Sequence, residues 1–325
     1  MASPSKATRP ASGAATSSAN PHAITSRDNR WLKAFRMALR GGLPAEDGAV
    51  GVEGARLTEE ALQSGCRIEA VLFSESGERF RERLAPLIAR PEIAFPVLHT
   101  TDRLFEGIAD TEHPQGVAAL VVPRTVTFDD LVRTPEGACS PLLVVLAGVQ
   151  DPGNVGTILR TAAAFGATGA VTAASGVSGT ASPFSPKALR ASAGAALHLP
   201  ILAGMSLAIL LAQLKVAGIS TLASSVPSDA EDGNAPLLAP WQVNWCAPVA
   251  LLVGNEGAGL PADVERNADA RIGIPMSSGV ESLNAAAAAA VLFYEAARQR
   301  NSVATSSVQS TDTRPTENAA PKRRP

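Results

Sequence analysis

The sequence predicts an α/β protein in two parts. A small α/β layer domain covers residues 27–122 and a larger domain built on a parallel sheet covers 141–300, with a linker at 123–140 and disordered tails at 1–26 and 301–325. Three observations predict this. From Pro141 to Met276 near-continuous apolar runs alternate with helical patterns, which a parallel sheet covered on both faces requires. From Arg27 to Val122 shorter runs alternate in the same way. The two ends are rich in Ser, Thr, Ala and Pro and carry too few large apolar side chains to build a core.

In the smaller block the order is a helix in "RDNRWLKAFRMALR", a strand in "GAVGVEG", a helix in "ARLTEEALQSG", a strand in "IEAVLFS", a helix in "ERFRERLAPLIA", a short strand in "FPVLHT" and a last strand in "QGVAALVV". Trp31, Leu32, Phe35 and Leu39 share one side of the first helix, and Arg30, Lys33, Arg36 and Arg40 fall mostly on the other. That basic side is open to two readings, contact with nucleic-acid phosphates or a solvated outer face. The Pro, Gly and weak periodicity of "PRTVTFDDLVRTPEGACS" mark the linker.

The larger block has strands in "PLLVVLAGV", "ATGAVTAA", "GISTLASS", "PVALLVGN" and "ARIGIPM", separated by helices, and a closing helix from about Glu281 to Arg300. In open parallel sheets ligands bind at the carboxyl ends of strands. Three loops there are unusual: "QDPGNVGTILR", where Asp151 or Asn154 caps the helix that follows, then "LLVGNEGAGLP" and "IPMSSGVESLN".

Composition excludes several classes. No apolar run is long enough to span a bilayer, and the first residues lack the apolar core of a secretory signal. That segment is free of acidic residues, a trait shared with organellar transit peptides, but the expectation is a disordered tail. Cys66, Cys139 and Cys246 are too few and too scattered for a disulfide framework or zinc site, so no metal is expected. The net charge of -2 does not announce a nucleic-acid binder, so any positive surface must be local. Neither glycine-rich loop has the G-x-G-x-x-G order of a dinucleotide site or the GK[ST] ending of a P-loop.

Taken together, "DPGNVGTILRTAAAFG", "LLVGNEGAGL" and "IPMSSGVESLNAAAAAAV" resemble, in order and spacing, the three motifs of the SpoU (TrmH) branch of the SPOUT methyltransferases. "SPKALRASAGAALHLP" is similar to that family's segment between the first two motifs, and "VEGARLTEEALQSG" with "EGIADTEHPQGVAALV" resembles its substrate-binding domain, itself similar to a small RNA-binding ribosomal-protein fold. The resemblance implies methyl transfer from S-adenosylmethionine to a ribose 2'-hydroxyl of RNA, a trefoil-knot catalytic domain, a homodimer and a cytoplasmic location. The N-terminal domain is typical of the ribosomal RNA enzymes and often missing from relatives acting on tRNA, so rRNA is the expected substrate and tRNA the alternative. A non-catalytic RNA-binding or assembly protein on the same fold is the competing class.

By the same resemblance Gly254, Glu256, Ile274, Met276 and Leu283 line the cofactor pocket. Asn154, Arg160, Glu256, Ser282 and Asn284 surround the reacting ribose, with Asn154 orienting Arg160. Some accounts of the family make this arginine the general base. A guanidinium is protonated at all ordinary pH, so the expectation for Arg160 is a phosphate grip or stabilisation of developing alkoxide charge. One departure stands out: after "SLN" the family often has Val-Ser, whereas Asn284 is followed by six alanines. The helix is secured by that run, but any hydrogen bond made by the missing serine is not.

Overall fold

The computed structural model describes residues 23–42, 44–45, 48–89, 95–134, 139–174, 179–226 and 236–309. The expected disordered tails therefore fall, at 1–22 and 310–325, outside the described residues. Two sheets carry the fold.

The N-terminal sheet holds β1 (Ala23–Ile24), β2 (Val50–Glu53), β3 (Arg67–Ser74), β4 (Val97–Thr100) and β5 (Val117–Val122) in the order β1-β4-β3-β5-β2. β1 and β3 run parallel to β4, while β5 is antiparallel to both β2 and β3. β1 lies inside the segment expected as a tail: Ile24 is buried, and its carbonyl accepts the Thr100 hydroxyl. The helices are α1 (Arg30–Leu39), α2 (Ala55–Gln63), α3 (Arg81–Ile88) and the short α4 (Asp102–Glu106). α1 starts at the Asn29 cap and buries Leu32, Phe35 and Leu39 of the apolar side read from its periodicity, together with Ala38, while Trp31 stays half-buried. The helix expected over 78–89 is instead a 3-10 segment, Ser76–Phe80, followed by α3.

The 123–140 linker holds a helix of its own, α5 (Phe128–Val132), fixed by a capping box between Thr127 and Asp130. Five residues with one buried side chain, Leu131, are too short to show a helical period.

The C-terminal sheet is parallel throughout. Its strands β6 (Leu142–Ala147), β7 (Gly169–Ala174), β8 (Ile201–Ser206), β9 (Ser220–Ser224), β10 (Leu237–Leu238), β11 (Val249–Val253) and β12 (Ala270–Ile272) lie in the order β10-β12-β9-β11-β6-β7-β8. β6 shows why its run is continuous: Leu142, Val144 and Leu146 face one core, and Leu143, Val145 and Ala147 face the other. The connecting helices are α6 (Pro152–Ala164), α7 (Pro186–Ala191), α8 (Ala195–His198), α9 (Leu207–Val216) and α10 (Ala262–Asn267), and α11 (Ala285–Gln309) closes the chain. α11 passes the expected end at residue 300 by nine residues. The core on the first face of β6 continues into the N-terminal domain, joining Val52, Leu57 and Leu62 to Leu189 and Leu197. Among the described residues no helix is long and apolar enough to cross a membrane.

Candidate functional site

The ends of β11, β9 and β12, together with the first turns of α11, enclose a cavity of about 470 Å³, within the usual range for small-molecule sites. Each wall has a local cause.

After β11 the chain turns back on itself. Asn255 and Gly259 exchange backbone hydrogen bonds of 3.0 Å in both directions, and the Asn255 side chain accepts from the N–H groups of Gly257 and Ala258 at 2.9 Å. The Asn255 amide also donates to the Gly148 carbonyl at 3.0 Å, tying this loop to the one after β6. The turn leaves no room for a side chain at Gly254, where a Cβ would sit 2.3 Å from the Gly259 carbonyl carbon. Gly254 and Glu256 both line the cavity.

After β12 the chain runs without regular structure to Asn284, whose side chain accepts from the N–H of Ala286 at 2.9 Å and so starts α11. α11 therefore begins four residues later than expected. Ser282 and Leu283 stay in the loop and line the cavity with Ile274 and Met276. On α11 the wall is Ala285, Ala288, Ala289 and Leu292, one helical face of the alanine run. Small side chains there widen the cavity, and none supplies the hydroxyl of the absent serine.

After β6, Asp151 caps α6 by accepting from the Gly153 N–H at 3.0 Å, with Pro152 in the first turn. α6 lies tight on α7, since a Cβ on Gly156 would meet the Ala188 carbonyl oxygen at 2.3 Å. Glu256 reaches across from the β11 loop and accepts the N–H groups of Gln150 and Asp151 and the Asn154 side-chain amide, each at 3.1 Å. Partial burial works to raise the Glu256 pKa, but the bonds from Asn154, Gln150 and Asp151 together outweigh it and hold the carboxyl below its usual range. Asn154 in turn accepts from the Asn284 amide at 3.1 Å. One hydrogen-bonded chain, Asn284 to Asn154 to Glu256, thus joins the three loops.

Arg160 stands apart from this chain. It is exposed on α6, six positions beyond Asn154, and does not line the cavity. Six residues advance a helix by about 9 Å and turn it by about 120° off the starting direction. The Asn154 side chain is engaged by Glu256 and Asn284, and no hydrogen bond joins it to Arg160 among those described.

The basic side of α1 is partly turned onto its own domain. Arg36 and Arg40 both donate to the Gly107 carbonyl, at 3.4 and 3.5 Å. Lys33 sits 3.7 Å from Asp28, and Arg30 lies over the Trp31 ring.

Sequence reasoning missed Ser224 at the end of β9, Ser225 and Val226 just after it, Glu265 on α10 and Arg271 on β12, all of which line the cavity. The Ser224–Val226 stretch is ordinary in composition, and only the sheet order brings it beside β11 and β12. Among the described residues no group of three or more His, Cys, Asp or Glu is placed to hold a metal ion.

Comparison with known proteins agrees with this geometry. Residues 141–294 match the SpoU rRNA Methylase family and residues 45–119 match the MRM3-like substrate binding domain. A Synechocystis protein named an uncharacterized tRNA/rRNA methyltransferase is 34% identical over 278 residues, 85% of this chain and 94% of that protein. A 23S rRNA (guanosine-2'-O-)-methyltransferase of Ralstonia nicotianae is 30% identical over 251 residues, 77% of this chain and 93% of that protein. Among solved structures, the AdoMet-bound rRNA methyltransferase of Sinorhizobium meliloti superposes with a TM-score of 0.70 at 29% identity, covering 85% of this chain and 97% of that one. The cavity suits the same cofactor: an apolar wall of Val253, Ile274, Met276 and Leu292 faces polar groups of Ser224, Asn255 and Glu256, as an adenosine joined to an amino acid requires. The chain belongs to the SpoU rRNA methylase family and is an RNA methyltransferase that uses S-adenosylmethionine.

Proposed function

We propose that this protein methylates a ribose 2'-hydroxyl of ribosomal RNA. The observation that carries the reading is the hydrogen-bonded chain from Asn284 through Asn154 to Glu256, which fixes three loops around the mouth of one cavity. Methyl transfer needs the incoming oxygen in line with the departing sulfur, and positioning of that kind contributes on the order of 7–11 kcal/mol in favourable model reactions. A braced set of loops is suited to supply it. The 23S rRNA 2'-O specificity in the name of the Ralstonia relative and the rRNA substrate of the Sinorhizobium enzyme support the choice of reaction and of RNA.

When bound, S-adenosylmethionine supplies a methyl group on a sulfonium. Gly254, Ile274, Met276 and Leu283 hold it, and Ser282 with Asn284 positions the 2'-hydroxyl. Glu256 acts as a brace: three N–H groups occupy its oxygens and favour its ionised form, which makes it a poor proton acceptor. The hydroxyl proton passes to water. Arg160 remains protonated, and its exposed place on α6 outside the cavity lining supports a grip on an RNA phosphate over contact with the developing alkoxide. Arg30, Lys33, Arg36 and Arg40 add phosphate contacts from the N-terminal domain. The same reading takes the catalytic domain as knotted, the protein as a cytoplasmic homodimer, and the exposed Val291 and Tyr294 of α11 as part of the dimer's apolar face.

The test is transfer of labelled methyl from S-adenosylmethionine to total RNA from a host lacking this protein, with wild type beside Arg160→Ala. Label in one ribosomal RNA, resistant to alkaline cleavage at one position and lost with the variant, is the expected result. Label in tRNA overturns the substrate assignment, label on a base overturns the 2'-O assignment, and no label despite cofactor and RNA binding favours a non-catalytic role.

A further inference from the structure

α7 is six residues long and carries two basic side chains three positions apart, Lys187 and Arg190, a spacing that sets both on one face. They reach in different directions. Lys187 Nζ lies 2.6 Å from Asp151 Oδ1, the carboxylate that caps α6. Arg190 Nη2 lies 2.8 Å from Asp110 Oδ2, on the N-terminal domain. The Asp110 backbone N–H donates at 2.8 Å to Glu53, a buried carboxylate at the end of β2, which also accepts the N–H and hydroxyl of Thr111. A continuous path therefore runs from Glu53 through Asp110, Arg190, α7, Lys187 and Asp151 to Glu256, which accepts the Asp151 N–H. Both basic groups are engaged by carboxylates, so neither is a spare phosphate contact.

We infer that α7 sets the angle at which the N-terminal domain presents RNA to the cavity, with Arg190 and Lys187 as positioning residues. The inference rests on the proposed role of the N-terminal domain in carrying RNA. Apolar packing of Leu57 and Leu62 against Leu189 and Leu197 holds the two domains together but has no direction of its own. The directional contacts among the described residues include the Arg190–Asp110 pair, the His198–Glu60 pair on α8 at 3.0 Å, and the Cys66 thiol donating to the Leu197 carbonyl at 3.4 Å, a bond that Cys66→Ser can still make. A half-exposed ion pair is weak where both side chains must first be ordered. Here Arg190 stands on a helix packed against α6, and Asp110 on a loop pinned by buried Glu53, so the backbone on both sides of the pair is already fixed by the fold.

The experiment compares wild type, Arg190→Asp, and the exchanged pair Arg190→Asp with Asp110→Arg. Two readouts are taken. The first is the distance distribution between spin labels at Glu82→Cys on α3 and Lys215→Cys on α9, both exposed, with Cys66, Cys139 and Cys246 replaced by serine. The second is steady-state methyl transfer at the cavity. The distribution is expected to be narrow in wild type, broad in Arg190→Asp and narrow again in the exchanged pair. kcat is expected to fall about three- to tenfold in Arg190→Asp and to recover in the exchanged pair, with KM for RNA and cofactor affinity unchanged throughout. Equal widths in all three proteins overturn the inference, whatever the methyl-transfer result. A broadened distribution with unchanged kcat overturns the positioning role. Absence of methyl transfer to RNA by wild type itself would instead count against the proposed function, and the distance distributions would still decide how α7 acts.

Discussion

Glu256, in the loop after β11, accepts the side-chain amide of Asn154, in the first turn of α6, at 3.1 Å. The same carboxylate takes two backbone N–H groups from the loop before α6. Two loops 102 residues apart in sequence are thereby fixed by one side chain. Glu256→Ala leaves those N–H groups to water, at a cost of about 1 kcal/mol given their exposure. The expected outcome is a small loss of thermal stability beside a much larger loss of methyl transfer, read by a melting curve and a transfer assay on one preparation. A transfer rate equal to wild type would remove the brace from the mechanism.

The pH dependence has a defined sign. Folding holds the Glu256 carboxyl below its ordinary range, so its contribution is complete above about pH 4.3, the unperturbed value, and is lost as pH falls through the lowered value. Cofactor affinity measured by calorimetry should carry no Glu256 contribution to its pH profile from neutrality down to that range, then fall. Glu256→Gln should remove that acid limb. An acid limb retained in Glu256→Gln would assign it to another group.

Much of the fold was legible because its cause is local. β6, β7 and β11 are apolar runs buried on both faces, and such runs announce themselves. β8 was not legible: it is the sheet edge, and Ala203, Gly204 and Ser206 are exposed, so its pattern is not that of a buried strand. α4 and α5 owe their existence to the Thr101 and Thr127 caps rather than to a period. At the site, the three loops could be read from composition and resemblance, and the cavity does collect Gly254, Glu256, Ile274, Met276, Ser282 and Leu283. The bond between Asn284 and Asn154 spans 130 residues and follows from how the loops meet. No local pattern encodes it, and the same holds for Lys187 and Arg190, whose partners lie on other elements.

Gly254→Ala tests the geometry of the β11 loop directly. The new Cβ would stand 2.3 Å from the Gly259 carbonyl carbon and 2.5 Å from its oxygen and from the Leu260 nitrogen, all backbone atoms that cannot rotate away. Relief requires opening the Asn255–Gly259 pair, an overpacking cost of about 1–3 kcal/mol located at the cofactor wall. Cofactor affinity should fall by at least about tenfold while the chain still folds cooperatively. Gly179→Ala, which meets nothing within 4 Å and lies outside the cavity lining, is the control and should bind as wild type does. Equal affinity in both variants would mean that the wall yields freely.

The last prediction concerns α1. Its guanidinium groups on Arg36 and Arg40 converge on one acceptor, the Gly107 carbonyl, at 3.4 and 3.5 Å. A carbonyl orients a guanidinium but does not neutralise it, so two positive charges are held close together at the surface. With a formal net charge of -2 the protein as a whole does not attract RNA, which leaves local groups of this kind to supply the attraction. If each arginine neutralises one phosphate, Arg36→Ala with Arg40→Ala should weaken RNA binding and flatten the plot of log affinity against log salt by about 1.5. Cofactor affinity should not change, because neither residue lines the cavity. Filter binding across a salt series distinguishes the two uses of this face. A parallel slope with unchanged affinity would make it a solvated outer surface, and would move the search for the RNA path to Arg160 and the rim of the cavity.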